Sequence, residues 1–170
     1  MNAIVAVDKN WGIGYDGKLL FRLPEDLMLF KSLTINKVVV MGHDTLKSLP
    51  HEKPLPNRVN IVLSKDKNLR IGTAITCNSL EQLLSTISNY KANDVFLIGG
   101  QTVFTQLLSV CSVAYVTKIH CAKNADRFFP NLDALSEWRL ESRSDIKTEN
   151  SIQYTFNKYI NIKHTNYIDP

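Results

Sequence analysis

Two acidic residues stand side by side in RLPEDLMLFKSL, residues 22–33, and only one of them suits an ordinary surface helix. Pro24 favours a helix start, since its missing N–H would have no partner there and its φ is already helical. At about 100° per residue, Leu23, Leu27, Phe30 and Leu33 share an arc of about 120°, which should face the core. Asp26 falls inside that arc, whereas Glu25 falls beside Ser32 on the far side, where a solvated carboxylate belongs. Two readings of Asp26 stay open. It complements the positive end of the helix dipole, or it points into a cleft where the apolar stripe is open and a carboxyl needs a partner or a raised pKa. Thr117, within VAYVTKIH, has a matching need: a hydroxyl on an interior strand requires a hydrogen-bond partner, and a buried Asp would serve.

Glycine placement carries the second signal. GIGYDG, residues 12–17, matches G-x-G-x-x-G in letters only. DKNW separates it from the preceding strand, and the next helix cannot begin before Pro24, so no glycine turns a strand directly into a helix. The three glycines instead predict a long mobile loop that opens and closes over a site. Better anion sites are VFLIGGQTVFTQLL, where Gly99 and Gly100 precede the N–H groups of Gln101 and Thr102, and VVVMGHDTLKSL, with Gly42, His43 and Thr45. Ser64 and Lys65 follow the run VNIVL at the same edge. Two such junctions imply a ligand with two separated phosphates, and an NADP-type cofactor meets that description. In KPLPNR, Arg58 is either an exposed arginine at a strand entrance or, with Leu55 stiffened between prolines, a grip on an apolar ring and a carboxylate.

The elements that must position these groups follow from periodicity. Apolar β-branched runs at residues 3–7, 37–42, 59–64, 73–76, 94–100 and 113–119 alternate with helical stretches at 24–34, 44–49, 80–88 (Ser79 as N-cap) and 101–109. That alternation predicts a wound α/β sheet. Residues 138–145 and 151–160 alternate apolar and polar around the turn KTENS, as an antiparallel hairpin closing one edge should. One domain over residues 1–162 and a tail over 163–170 are expected.

Composition narrows the class. Apolar residues make up 44% and charged residues 21% of 170, ordinary for a globular enzyme. Twenty basic against sixteen acidic residues give +4 without a dense basic face, apart from Lys65, Lys67 and Arg70, so no nucleic acid is expected as partner. Cys77, Cys111 and Cys121 form no C-x-x-C pair, and His43, His51, His120 and His164 lack ligand spacing, so neither a disulfide framework nor a metal is expected. No leader and no membrane-length apolar run is present, which points to the cytoplasm.

Taken in order from Ala3 to about Ile160, GIGYDGKLLFRLPEDLMLFK, VVVMGHDT, KPLPNRVNIVLS, FLIGGQTVF, YVTKI, DRFFP and the terminal hairpin resemble dihydrofolate reductase. The resemblance implies a single α/β domain with a central, mostly parallel, eight-stranded sheet, helices on both faces and a C-terminal antiparallel hairpin. It also implies reduction of 7,8-dihydrofolate to 5,6,7,8-tetrahydrofolate by NADPH in one-carbon metabolism, and antifolate inhibitors as further ligands of a monomer. Asp26, paired with Thr117 and near Phe21, would be the acidic residue of the pterin pocket. Ile4, Val5, Ala6, Leu27, Phe30, Lys31, Leu49, Leu55 and Ile98 would surround the substrate, with Arg58 on its α-carboxylate. The cofactor would lie against Ala6, Ile13, Gly17 and Leu19, then Gly42, His43, Asp44 and Thr45, then Leu63, Ser64 and Lys65. Gly99 and Gly100, joined in the family by a cis peptide, would complete its site with Gln101, Thr102, Val103 and Phe104.

Three departures from the family pattern matter. Phe21 stands where the family usually has Trp and lacks the indole N–H that helps hold a water. His43 and Thr102 stand where Arg is frequent, which shifts 2′-phosphate recognition toward Lys65. Ala125 and Arg127 flank Asp126 in the loop that couples to the glycine-rich lid in some members. The competing readings are an NADPH reductase of a related heterocycle on the same fold, as in riboflavin synthesis, and a catalytically silent nucleotide-binding or RNA-binding module.

Overall fold

The structure is a computed structural model, and it describes residues 1–163. His164 and all but the first residue of the expected tail lie outside the described residues. In chain order the strands and helices are β1 (Asn2–Val7), β2 (Gly12–Tyr15), β3 (Lys18–Leu19), α1 (Pro24–Thr34), β4 (Val38–Gly42), α2 (His43–Ser48), β5 (Val59–Leu63) and β6 (Ile75–Cys77). There follow α3 (Leu80–Ile87), β7 (Val95–Gly99), α4 (Gln101–Leu107), β8 (Val113–Ile119), β9 (Arg127–Phe128), β10 (Trp138–Arg143), β11 (Lys147–Glu149) and β12 (Ile152–Asn161).

Val38 to Met41 are wholly buried, as are Val95 to Leu97, because the inner strands are covered on both faces. The main sheet runs β10-β12-β8-β1-β7-β4-β5-β6, with β11 added on β12. From β8 to β6 every pairing is parallel, while β12 runs antiparallel to β8, β10 and β11. This is the expected mostly parallel sheet with an antiparallel end, with nine strands rather than eight because β11 joins β12.

One irregularity in the register positions everything that follows. β1 pairs with β8 along its length, from Asn2↔Val113 to Val7↔Lys118, but with β7 only at Asn2↔Phe96 and Ala3↔Leu97. Past Ala3 the strands part, so the carboxyl edge opens between the second half of β1 and Ile98–Gly100. A wound sheet binds ligands at such a point, beyond the carboxyl ends of its strands.

Three expectations need correction. KTENS is not only a turn: Lys147–Glu149 pair with Ile152–Tyr154 as β11, and only Asn150 and Ser151 turn, both with positive φ. The glycine-rich segment is not an open loop either. Gly14 and Tyr15 pair with Leu19 and Lys18, and Gly12 and Gly14 pair with Phe128 and Arg127, making a small sheet β3-β2-β9. Glycine is required at position 12, where a Cβ would come within 2.7 Å of the Ala125 Cβ. The apolar arc of α1 also differs: Leu23 is buried, but Leu27 is 45% exposed and only Thr34 of the helix is fully buried. The stripe faces open space beside the sheet rather than its core.

Candidate active site

Asp26 settles between its two readings by what it touches. Its Oδ1 accepts the Thr117 hydroxyl at 2.6 Å, joining α1 to β8. Thr117 is itself buried and lies in register with Ala6 of β1, so the carboxyl sits one strand from the parted edge. Burial pushes the Asp26 carboxyl above the usual carboxylate range, and the Thr117 donor only partly offsets this. The dipole reading alone would place the group in water, and it is not there.

The apolar surroundings come from three clusters. Ala6 and Phe21 pack with Leu23, Ile119 and Tyr154; Leu49, Leu55 and Ile98 pack against Met41 and Leu46; Val5, Ile13 and Leu63 flank the main core. Ile4 is buried, Phe30 is half-buried and Leu27 is exposed. Lys31 is exposed on the following turn.

Arg58 is half-buried and held by its neighbours. Its Nε donates to Thr34 Oγ1 at 3.0 Å, one Nη donates to the Pro56 carbonyl at 2.7 Å, and the guanidinium lies 5.9 Å from the Phe30 ring centre. Partial burial lowers its pKa, but an arginine remains a cation under all ordinary conditions. What shapes this segment is Asn60: its amide accepts from Leu55 N–H and donates to the Leu55 and Arg58 carbonyls. An asparagine inside VNIVL, 3% exposed, was the available signal, because a buried amide must find partners.

The two glycine junctions prove to be neighbours. Gly99 and Gly100 are joined by a cis peptide, and a Cβ on Gly100 would meet Thr45 Oγ1 at 3.0 Å. One on Gly99 would meet the same oxygen at 3.2 Å, and one on Gly42 would meet Val103 Cγ2 at 3.1 Å. Glycine is what lets Thr45 and Val103 pack this closely on the two junctions. Neither α2 nor α4 has a side-chain cap at its start, so their first N–H groups lie at the junctions. His43 is half-buried there and Asp44 and Thr102 are exposed, while Val103 and Phe104 point into the core, Phe104 edge-on to Phe129 at 4.7 Å. Gln101 is used differently: its Oε1 accepts Phe128 N–H at 2.7 Å and ties α4 to β9. Ser64 is buried and caps Asp66 N–H through its hydroxyl, and Lys65 extends into solvent.

Over this edge lies the glycine-rich hairpin. Gly17 sits at its tip with φ +71 and open space around it. Asp126 holds the hairpin from the far side: its Oδ2 accepts Asp16 N–H at 3.1 Å and its N–H donates to Gly14 O at 3.0 Å. A cavity of about 710 Å³ lies against the hairpin tip, lined by Gly17, Leu19, Phe21, Ser48 and Lys123 among others but not by Asp26, Thr117, Arg58 or the glycine pair. Lys123 lies 4.2 Å above the Phe21 ring and donates to the Leu20 carbonyl at 2.9 Å, contacts that nothing in the sequence indicated. Glu25 stays partly exposed, as its side of the helix predicts, but it also carries an ion pair to Lys147 and accepts the Tyr154 hydroxyl at 2.5 Å.

A family model described as dihydrofolate reductase matches residues 1–161. The chain is 36% identical over 158 residues to the dihydrofolate reductase of Bacillus subtilis, spanning 92% of this chain and 91% of that one. It is 34% identical over 177 residues to a bifunctional dihydrofolate reductase-thymidylate synthase of Glycine max, covering 94% of this chain and 33% of that protein. The chain thus spans about a third of the length of such bifunctional relatives. A solved dihydrofolate reductase from Enterococcus faecalis, complexed with NADP(H) and RAB-propyl, superposes with a TM-score of 0.84 at 32% identity, over 94% of this chain and 95% of that one.

Proposed function

Since the chain belongs to the dihydrofolate reductase family, we propose that it reduces 7,8-dihydrofolate to 5,6,7,8-tetrahydrofolate with NADPH as the reductant. The observation that carries this reading is the sheltered Asp26 carboxyl on Thr117, facing the parted strands beside the cis Gly99-Gly100 peptide. NADPH supplies a hydride from its reduced nicotinamide to C6 of the pterin. The two glycine junctions suit such a dinucleotide, because glycine keeps the backbone at Gly42, Gly99 and Gly100 bare of side chains, so phosphates would approach its N–H groups closely.

In this reading each residue has a physical task. Asp26 accepts from the pterin's amino group and ring N3, and its negative charge in a weakly solvated wall favours a protonated ring. Thr117 fixes the carboxyl's orientation. Ile4, Val5, Ala6, Leu27, Phe30, Leu49, Leu55 and Ile98 exclude water around the rings, and Arg58 holds the tail carboxylate. The hairpin at Gly12–Leu19 closes over the nicotinamide side and admits the water that protonates N5, with Phe21 at the edge of that path. Lys65 and Ser64, with His43, hold the 2′-phosphate.

The folded unit spans residues 1–162 and acts as a monomer in the cytoplasm, open to antifolates at the same pocket. Among the described residues all three cysteines are free, as suits a reducing compartment, and no helix is long and apolar enough to cross a membrane.

The test is loss of NADPH absorbance on adding dihydrofolate. Oxidation that depends on both ligands supports the reading. Tight binding without turnover, or turnover only with another heterocycle, overturns it.

A further inference from the structure

The helix that carries Asp26 lacks a side-chain cap of its own: Leu23 stands at its N-cap. The missing contacts come from the short strand β11, which the sequence had concealed within a turn. Glu149 Oε2 accepts the free Glu25 N–H at 3.3 Å. The Glu25 carboxylate in turn accepts from the Lys147 ammonium through Oε1 and from the buried Tyr154 hydroxyl of β12 through Oε2. Lys147 is held from behind, its Nζ 5.6 Å from the Phe156 ring centre. The first turn of α1 is therefore gripped from both sides, Glu25 toward β11 and β12, Asp26 toward Thr117 of β8.

We propose that Lys147 and Glu25 are positioning residues for the reaction: their ion pair fixes the turn that aims the Asp26 carboxyl and balances the charge beside it. For its kinetic meaning this rests on the reductase reading above. The charged and titratable groups gathered here are Glu25 of α1, Lys147 and Glu149 of β11 and Tyr154 of β12. Lys147 pairs with the Glu25 carboxylate, while Glu149 adds a second anion at the Glu25 N–H. The Lys147 and Tyr154 donors hold the Glu25 carboxyl below its usual range, and Glu25 adjoins Asp26 in the same helical turn.

Opposite charge changes at the two ends of the pair should have opposite effects. Lys147→Met leaves two anions unbalanced and raises the Asp26 titration midpoint by about half a unit or more; Glu25→Gln leaves the cation and lowers it by a similar amount. The double variant returns toward the wild-type value, and Lys147→Arg retains it. Two readouts apply to the full chain: 13C NMR titration of the Asp26 carboxyl without ligands, and the pH dependence of kcat/KM for dihydrofolate. Opposite shifts that cancel in the double variant support the proposal. Unmoved midpoints, or shifts of the same sign in both single variants, overturn it, since general loosening has no charge sign. If wild type fails to oxidise NADPH with dihydrofolate while the NMR midpoints still split, the function reading falls and the charge coupling of Lys147 and Glu25 to Asp26 stands.

Discussion

On the β8 side of the parted strands, recognition rests on side chains: a sheltered carboxyl held by Thr117, with apolar residues around it. On the β4 and β7 side it rests on backbone, with Gly42, Gly99 and Gly100 packed so closely on Val103 and Thr45 that an added methyl group would crowd them. The difference follows from the ligands proposed for each side. A pterin presents a fixed pattern of donors that one carboxylate can match, whereas a dinucleotide presents a long anionic backbone best met by close N–H groups. One side should therefore fail by loss of chemistry and the other by loss of shape.

The largest break is expected at Asp26. Asp26→Asn should lower kcat/KM for dihydrofolate by about 10²–10³-fold while the Tm at neutral pH stays level or rises. The sign follows from linkage: the folded protein raises this carboxyl's pKa, so above the unfolded value ionisation costs the folded state, and the neutral amide escapes that cost. A steep fall in Tm would make Asp26 a structural residue instead. Gly100→Ala should act in the opposite manner, raising the KM for NADPH by about tenfold through the clash with Thr45, with Thr45→Ala in the same chain restoring part of the loss. Arg58→Met should raise the KM for dihydrofolate by about tenfold while kcat changes less than about twofold, since a tail contact binds ground and transition states alike; a matching loss in kcat would place Arg58 nearer the chemistry. The smallest effects belong to the family departures. Lys65→Ala should narrow the NADPH over NADH preference by about fivefold if Lys65 carries the 2′-phosphate, and an unchanged preference would remove it from that role. Phe21→Trp should shift the pH-rate profile by restoring an N–H donor near the acid, and superimposable profiles would refute a role for that ring.

The same contrast governs what was legible from residue order. β8 was bounded at Val113 and Ile119 because its apolar run is long, and α1 because Pro24 announces it. Asp26 and Thr117, 91 positions apart, could be matched because each is a polar group in an apolar setting that demands a partner. Glu25 and Lys147 could not: they are 122 positions apart, and nothing local marks one ion pair among 20 basic and 16 acidic residues. β11 was hidden for a related reason, since three residues carry too short a pattern and pairing with β12 defines them. The small β3-β2-β9 sheet likewise depends on Asp126 and Arg127 reaching the glycine hairpin from more than a hundred positions away.

The most direct test of the central claim, that a sheltered Asp26 favours the protonated pterin, is the pH dependence of single-turnover hydride transfer from NADPH to dihydrofolate, from about pH 5 to about pH 9. In wild type the rate should rise as pH falls, and Asp26→Asn should move the midpoint down by about one unit or more, because without the neighbouring anion the ring gains its proton only in stronger acid. Identical midpoints in the two proteins would contradict the account.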